Sequence, residues 1–121
     1  MKLTHISIIS VPVSDQERAK SFYVDVLGFE VREDESGGEG MRWVRVAPKD
    51  AQTSLTLVTW LENTPPGSLH GVLIETDDVD RAYAELSEQG VDFIQTPFDS
   101  TGGRFASFRD PDGNSWLLHA N

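Results

Sequence analysis

The sequence predicts an α+β fold built from two βαβββ units, one over residues 1–60 and one over residues 69–121. Two observations carry that prediction. Strand-like and helix-like patterns follow one another in the same order twice. Matching residues also recur at a near-constant offset: Gly28 and Gly90, Arg42 and Arg104, and Trp43 and Phe105 are 62 apart, and Asp15 and Asp78 are 63 apart. Duplication of one supersecondary unit leaves this trace. The segment "LENTPPGS" (61–68), rich in proline and turn residues, supplies the linker within a single domain of 121 residues.

Each element has a local reason. Residues 3–13, "LTHISIISVPV", are β-branched and partly alternating, which predicts a strand. Ser14 with Glu17 fits a capping box. Ala19, Phe22, Tyr23, Val26 and Leu27 then form one apolar stripe at helical spacing, and Gly28 stands where a left-handed cap belongs. "FEVRED" (29–34) reads as a strand, "ESGGEG" (35–40) as a turn, and "MRWVRVA" (41–47) and "SLTLVTW" (54–60) as two more strands. In the second unit "HGVLIET" (70–76) is a strand. Val79, Ala82, Tyr83 and Leu86 mark the apolar side of a helix capped by Gly90. "VDFIQ", "GRFASF" and "SWLLHA" supply the last three strands.

Composition narrows the function. Twenty acidic against ten basic residues give a formal charge of −10, and the ten Lys and Arg are dispersed. Such a field repels nucleic acid and anionic membrane and mildly favours cationic ligands. The longest apolar runs are strand-sized, so no membrane-spanning helix is expected. The N-terminus lacks the pattern of a signal peptide, and a cytoplasmic location is the expectation. With no cysteine in the chain, disulfides, thiolate ligands and thiol nucleophiles are excluded. The "GG" pairs at 37–38 and 102–103 lack the context of a phosphate cradle, and no serine has a visible histidine–carboxylate pair.

"FYVDVLGFEV" after the first helix, "ETDDVD" opening the second and "RDPDGN" before the last strand, set in paired βαβββ units, resemble the vicinal oxygen chelate superfamily of glyoxalase I, bleomycin-resistance proteins and extradiol dioxygenases. The resemblance covers nearly the whole chain. It implies curved sheets around a cup-shaped cavity, commonly completed in a homodimer, and in many members a divalent metal held by His, Glu or Gln from four strands. Carried over by position, those four places fall on Ile8, Thr56, Gly71 and Leu117. Isoleucine, glycine and leucine offer no lone pairs, and a threonine hydroxyl alone is a weak ligand. No cofactor is therefore expected. A divalent metal would need His5 and His70, each an odd number of residues from its ligand position, where strand alternation turns the side chain to the other sheet face.

Taking Ile8, Gly71 and Leu117 as markers of the cavity face, alternation assigns their neighbours. Ser10 and Pro12 join Ile8, Leu73 and Glu75 join Gly71, and Ser115 joins Leu117. Trp43, Arg45, Phe105, Ser107 and Arg109 fall to the cavity or its rim. Val72 and Ile74 fall to the core. The expected ligand-binding set is Ser10, Trp43, Arg45, Thr56, Leu73, Glu75, Phe105, Ser107 and Leu117, an aromatic and mostly apolar wall suited to a small organic ligand. Glu75 is the candidate catalytic group if apolar burial raises its pKa, or else the ion-pair partner of Arg45, Arg104 or Arg109. His119, two residues from Leu117, either faces the cavity with it or frays at the terminus, and fraying is the expectation; Asp110 and Asp112 are expected to cap backbone N–H groups of a turn. The expected function is metal-free binding of a small molecule. The alternatives are a metal-dependent lyase, isomerase or dioxygenase, a metal-independent enzyme using Glu75, and a purely structural module.

Overall fold

The computed structural model describes residues 1–38 and 41–121, in two compact units, Met1–Pro66 and Gly67–Asn121. Within the first unit the order is β1 (Ile8–Pro12), α1 (Gln16–Ser21) running into a π-helical turn (Phe22–Val26), β2 (Glu30–Ser36), β3 (Arg42–Ala47) and β4 (Ser54–Val58). The second unit repeats it with β5 (Val72–Glu75), α2 (Val79–Glu88), β6 (Asp92–Ser100), β7 (Gly103–Arg109) and β8 (Ser115–Ala120). The two sheets have equivalent strand orders, β1-β4-β3-β2 and β5-β8-β7-β6, each with one parallel pair and two antiparallel ones. This is the predicted α+β architecture. Residues 61–68 form neither helix nor strand.

Aspartates start both helices. Asp15 is extended (φ −144°, ψ 107°) and its Oδ1 accepts from the N–H groups of Glu17 and Arg18 at 3.0 and 3.1 Å. Asp78 accepts from Arg81 N–H at 3.0 Å in the same way. The cap is thus Asp15 and not Ser14, whose hydroxyl takes a bond from Arg18 Nη2 at 3.0 Å instead. A carboxylate there satisfies free N–H groups and also meets the positive end of the helix dipole. The helices end at Gly28 and Gly90, both with φ near +80° (80° and 83°), a conformation that glycine adopts without a Cβ penalty.

Each helix lies on one face of its sheet. In the first unit Val11, Val13, Ala19, Tyr23, Val46 and Leu57 are fully buried, and each of the valines and Leu57 is worth about 1.5–3 kcal/mol. Gln16 pins the helix start to the strands by donating from Nε2 to the carbonyls of Arg42 (2.6 Å) and Leu57 (2.7 Å). The second core is more aromatic. Phe108 and Trp116 are buried, Phe93 sits 5.6 Å from Phe108 between ring centroids, and Tyr83 meets Phe93 edge-on at 4.8 Å.

The repeated arginines clamp helix to hairpin. Arg42, opening β3, donates to Asp34 on β2 (2.7 and 2.8 Å) and to Glu17 in the first turn of α1 (3.2 Å). Arg104, opening β7, donates to Asp99 on β6 (2.9 Å) and to Asp80 in the first turn of α2 (2.7 and 2.9 Å). The Arg42 guanidinium, then the Lys20 ammonium, hold Asp34 well below the usual carboxylate range.

Several boundaries differ from the sequence reading. The first strand covers only Ile8–Pro12, because its partner β4 begins at Ser54, opposite Ile8. Before it the chain is tethered by Ser54, whose N–H (2.9 Å) and Oγ (3.4 Å) both donate to Ser7 O, and by Thr53 Oγ1, which donates to Ile6 O (2.6 Å). β6 runs to Ser100, through Pro97. An edge strand tolerates proline, and a register shift between Gln95 and Phe98 absorbs it. Of the predicted turn at 35–40, Glu35 and Ser36 belong to β2, and residues 39 and 40 lie outside the described residues. Pro12 is buried, and Val72 and Ile74 are half-buried.

The "RDPDGN" turn is a small hydrogen-bonded knot. Asp110 Oδ1 accepts from the N–H groups of Asp112 and Asn114, both at 2.9 Å, and its Oδ2 from Asn114 Nδ2 at 2.8 Å. Asn114 Oδ1 then accepts from Leu69 N–H at 3.0 Å, tying the turn to the approach to β5. Asp110→Ala is expected to cost about 3 kcal/mol in urea unfolding, because two backbone N–H groups lose a charged acceptor. Phe108→Ala should cost about 3–5 kcal/mol as a cavity in the aromatic core. A loss below about 1 kcal/mol in either variant would contradict these roles.

Candidate functional site

Strand alternation leaves each sheet a second face, opposite the helix, and cross-strand register orders its side chains into rows. In the first unit Ser10, Thr56, Arg45 and Glu33 stand opposite one another across β1, β4, β3 and β2. In the second, Leu73, Leu117, Ser107 and Gln95 form the equivalent row across β5, β8, β7 and β6. Next to it run Glu75, His119, Phe105 and Phe98. Eight of the nine predicted binding residues lie in these rows, Ser10, Arg45 and Thr56 in one unit and Leu73, Glu75, Phe105, Ser107 and Leu117 in the other. The ninth, Trp43, is bonded to the first row through Glu33.

The first face is a polar network. Glu33 Oε1 accepts from Arg45 Nε at 2.6 Å and from Trp43 Nε1 at 3.0 Å, while Arg45 Nη1 donates to Ser54 Oγ at 3.2 Å. Thr56 Oγ1 donates to Ser10 Oγ at 3.3 Å. The Arg45 guanidinium, and next the Trp43 indole N–H, hold the Glu33 carboxyl below its ordinary value. Thr56 is buried at the floor of the sheet, and Trp43 and Arg45 are half-buried above it. Glu33 was missed in the sequence, although its alternation with Val31 and its place opposite Arg45 in a β2–β3 hairpin could have revealed it.

The second face is aromatic. Phe98 and Phe105 stack with centroids 5.7 Å apart and planes 25° apart, and Phe105 meets the His119 ring at 4.9 Å and 36°. Ser107 Oγ donates to Gln95 Oε1 at 3.0 Å. His119 does not fray. It lies within β8, its side chain is 13% exposed, and both ring nitrogens are engaged, Nδ1 with Glu75 Oε1 at 2.5 Å and Nε2 with the Gly102 carbonyl at 2.7 Å. Glu75 is accordingly not a carboxyl enclosed by apolar walls: its side chain is 64% exposed and its ion-pair partner is His119. The three arginines proposed for it are held by other carboxylates, Arg45 by Glu33, Arg104 by Asp80 and Asp99, and Arg109 by Asp92. Gln95 and Phe98, which stand opposite Ser107 and Phe105 on this face, were not among the predicted residues, and Phe98 lies beyond the predicted strand "VDFIQ".

The register tests the superfamily's metal positions. Ser10 stands opposite Thr56 and Leu73 opposite Leu117, so Ile8 and Gly71, each two residues earlier, occupy equivalent places. The four positions are therefore consistent with the internal repeat, and their side chains do not fit a divalent ion, for want of any imidazole or carboxylate. Among the described residues no group of three or more His, Asp or Glu is placed to hold one. His5 precedes β1, with Nδ1 3.1 Å from Thr4 Oγ1, and His70 precedes β5, with Nδ1 2.7 Å from Ser115 Oγ.

Paired βαβββ units with these open faces define a class. The chain belongs to the Glyoxalase/Bleomycin resistance protein/Dioxygenase superfamily, whose model matches residues 2–118. It is similar to TnmS3, an antibiotic binding protein from Streptomyces sp. CB03234, at 51% identity over 98% of this chain and 97% of that one, with a TM-score of 0.92. A superfamily member from Sphaerobacter thermophilus DSM 20745 matches at 39% identity over 98% of both chains, TM-score 0.91. The Bacillus subtilis protein YetH is 31% identical, over 96% of this chain and 98% of its own. No helix among the described residues is long and apolar enough to cross a membrane.

Because Glu33 titrates below its ordinary value in the folded chain, its pairing adds stability above that value and the contribution is lost as pH falls through the folded pKa. Carboxyl-carbon NMR should show a Glu33 midpoint below 4.5, and Arg45→Met should raise it. An unmoved midpoint in Arg45→Met would remove Arg45 as the cause.

Proposed function

We propose that this chain is a metal-independent binding protein that sequesters a small, antibiotic-type organic molecule on its open sheet faces, as a cytoplasmic homodimer. One observation carries the reading: where metal-dependent members of the superfamily need donor side chains, these faces present hydrogen-bonding and aromatic rows. Ser10, Trp43 and Arg45 supply polar contacts and one indole, with the buried Thr56 hydroxyl behind Ser10, and Leu73, Phe105, Ser107 and Leu117 supply an apolar and aromatic wall. That composition suits a compact organic ligand with a few polar groups. The likeness to an antibiotic binding protein supports the same reading. A metal-dependent glyoxalase-type reaction would need donors that Ile8, Thr56, Gly71 and Leu117 do not supply.

The exposure of apolar residues on the same faces supports dimerisation. Ile8 and Leu73 are 40% and 47% exposed, and a second copy of the chain would cover them. Sedimentation equilibrium should return twice the chain mass at micromolar concentration, and a monomer would contradict this.

Binding is tested by isothermal titration with daunorubicin, ethidium and bleomycin, chosen because a chain of net charge −10 favours cations. At least one should bind with Kd of about 1 μM or tighter, which corresponds to about −8 kcal/mol. Trp43→Ala should weaken that complex about tenfold. Failure of all three to bind would overturn the proposal.

A further inference from the structure

The row Phe98–Phe105–His119–Glu75 has an order that ordinary packing does not demand. Its ring spacings, 5.7 and 4.9 Å, approach the separation of neighbouring strands, about 4.8 Å. Side chains in strands stand roughly perpendicular to the sheet. The rings therefore stand side by side, like coins on edge, and turn their rims outward. An aromatic rim is the positive part of the ring quadrupole and the face the negative part, so a row of rims attracts the flat face of an electron-rich ring.

The row ends in an imidazole held between two acceptors. A neutral imidazole carries one N–H and can satisfy only one of them. The Glu75 carboxylate and the Gly102 carbonyl are both satisfied only when His119 carries two protons. The backbone is built around that contact: a Cβ at Gly103 (φ +139°) would come 2.8 Å from His119 Nε2 and would collide with the Ala120 carbonyl. The cation in turn lies against Phe105, where it draws on the ring face and makes the outward rims more positive.

We propose that Phe98, Phe105 and His119 form the recognition element for a planar, electron-rich aromatic part of the ligand, and that the element works with His119 as the imidazolium. This rests on the small-molecule reading above and deepens it. Affinity then falls as pH rises through the His119 titration. The Gly102 carbonyl, and next the Glu75 carboxylate, place that titration above the ordinary imidazole value, so the protonated form prevails below it and is lost above it. The other charged groups turned to this face are His70, on Ser115, and the pair Arg109–Asp92. Arg104 and Asp99 point to the opposite face, toward Asp80 on α2.

The test uses 1-pyrenemethanol, a neutral electron-rich planar probe with no ionisable group between pH 5 and 10, followed by fluorescence anisotropy. The wild-type Kd should weaken about fivefold across that range, the size of a partly exposed cation–π contribution. Its midpoint should coincide with the His119 titration seen by NMR and should persist in His70→Gln. Glu75→Gln keeps an acceptor but removes the charge, so binding and NMR midpoints should both move down. Phe98→Leu should weaken binding about tenfold at every pH. Binding that ignores pH, a midpoint unmoved by Glu75→Gln, or full affinity in Phe98→Leu would each overturn the proposal. If daunorubicin, ethidium or bleomycin binds while 1-pyrenemethanol does not, this inference falls and the binding-protein reading stands. If none of the four binds, both fall.

Discussion

One helix cannot cover two faces of a sheet. Each unit pairs four strands with one helix, and that constraint orders everything else. The side chains that alternate toward α1 or α2 are apolar and buried, among them Val11, Tyr23 and Leu57 in one unit and Phe108 and Trp116 in the other. The alternate set has no helix to cover it, and its polar residues pair with one another. In the first unit Glu33, Arg45 and Trp43 satisfy one another by hydrogen bonds. In the second, Glu75, His119 and Gly102 do so, with Phe105 and Phe98 stacked alongside.

The duplication shows where the two copies were kept alike and where they diverged. The caps Asp15 and Asp78 and the clamps Arg42 and Arg104 do the same work in both units. These contacts decide how a helix seats on its sheet, and a ligand has no part in them. The open faces differ. Arg45 and Glu33 of the first unit correspond to Ser107 and Gln95 of the second, and Ser10 and Thr56 to Leu73 and Leu117. Where the first unit has an ion-paired row, the second has an apolar row ending in one hydrogen bond. One scaffold thus presents two chemistries, polar on one sheet and aromatic on the other.

The repeat, both helices and the order of the eight strands were legible in the sequence, because period, capping aspartate and capping glycine are local signals. The open-face assignment of Ser10, Trp43, Arg45, Leu73, Phe105, Ser107 and Leu117 was legible for the same reason, since alternation follows once one residue is placed. What could not be read was pairing. Glu75 has no sequence signal for His119, 44 residues away, and the arginines offered to it are taken by carboxylates on neighbouring strands. The sixth strand was read only as far as Gln95, although an edge strand with a register shift carries it through Pro97 to Ser100, and Phe98 was left outside it. The start of β1 depended on where β4 begins, a tertiary fact.

The claim at the centre is that the ligand binds the sheet faces opposite the helices. Amide and indole chemical-shift mapping with a bound cationic aromatic tests it most directly. The account predicts that the largest shifts fall on Trp43 Nε1–H, Arg45, Phe105, Ser107, Leu117 and His119, while the exposed residues of α1 and α2 stay still. Shifts confined to the helices would contradict it.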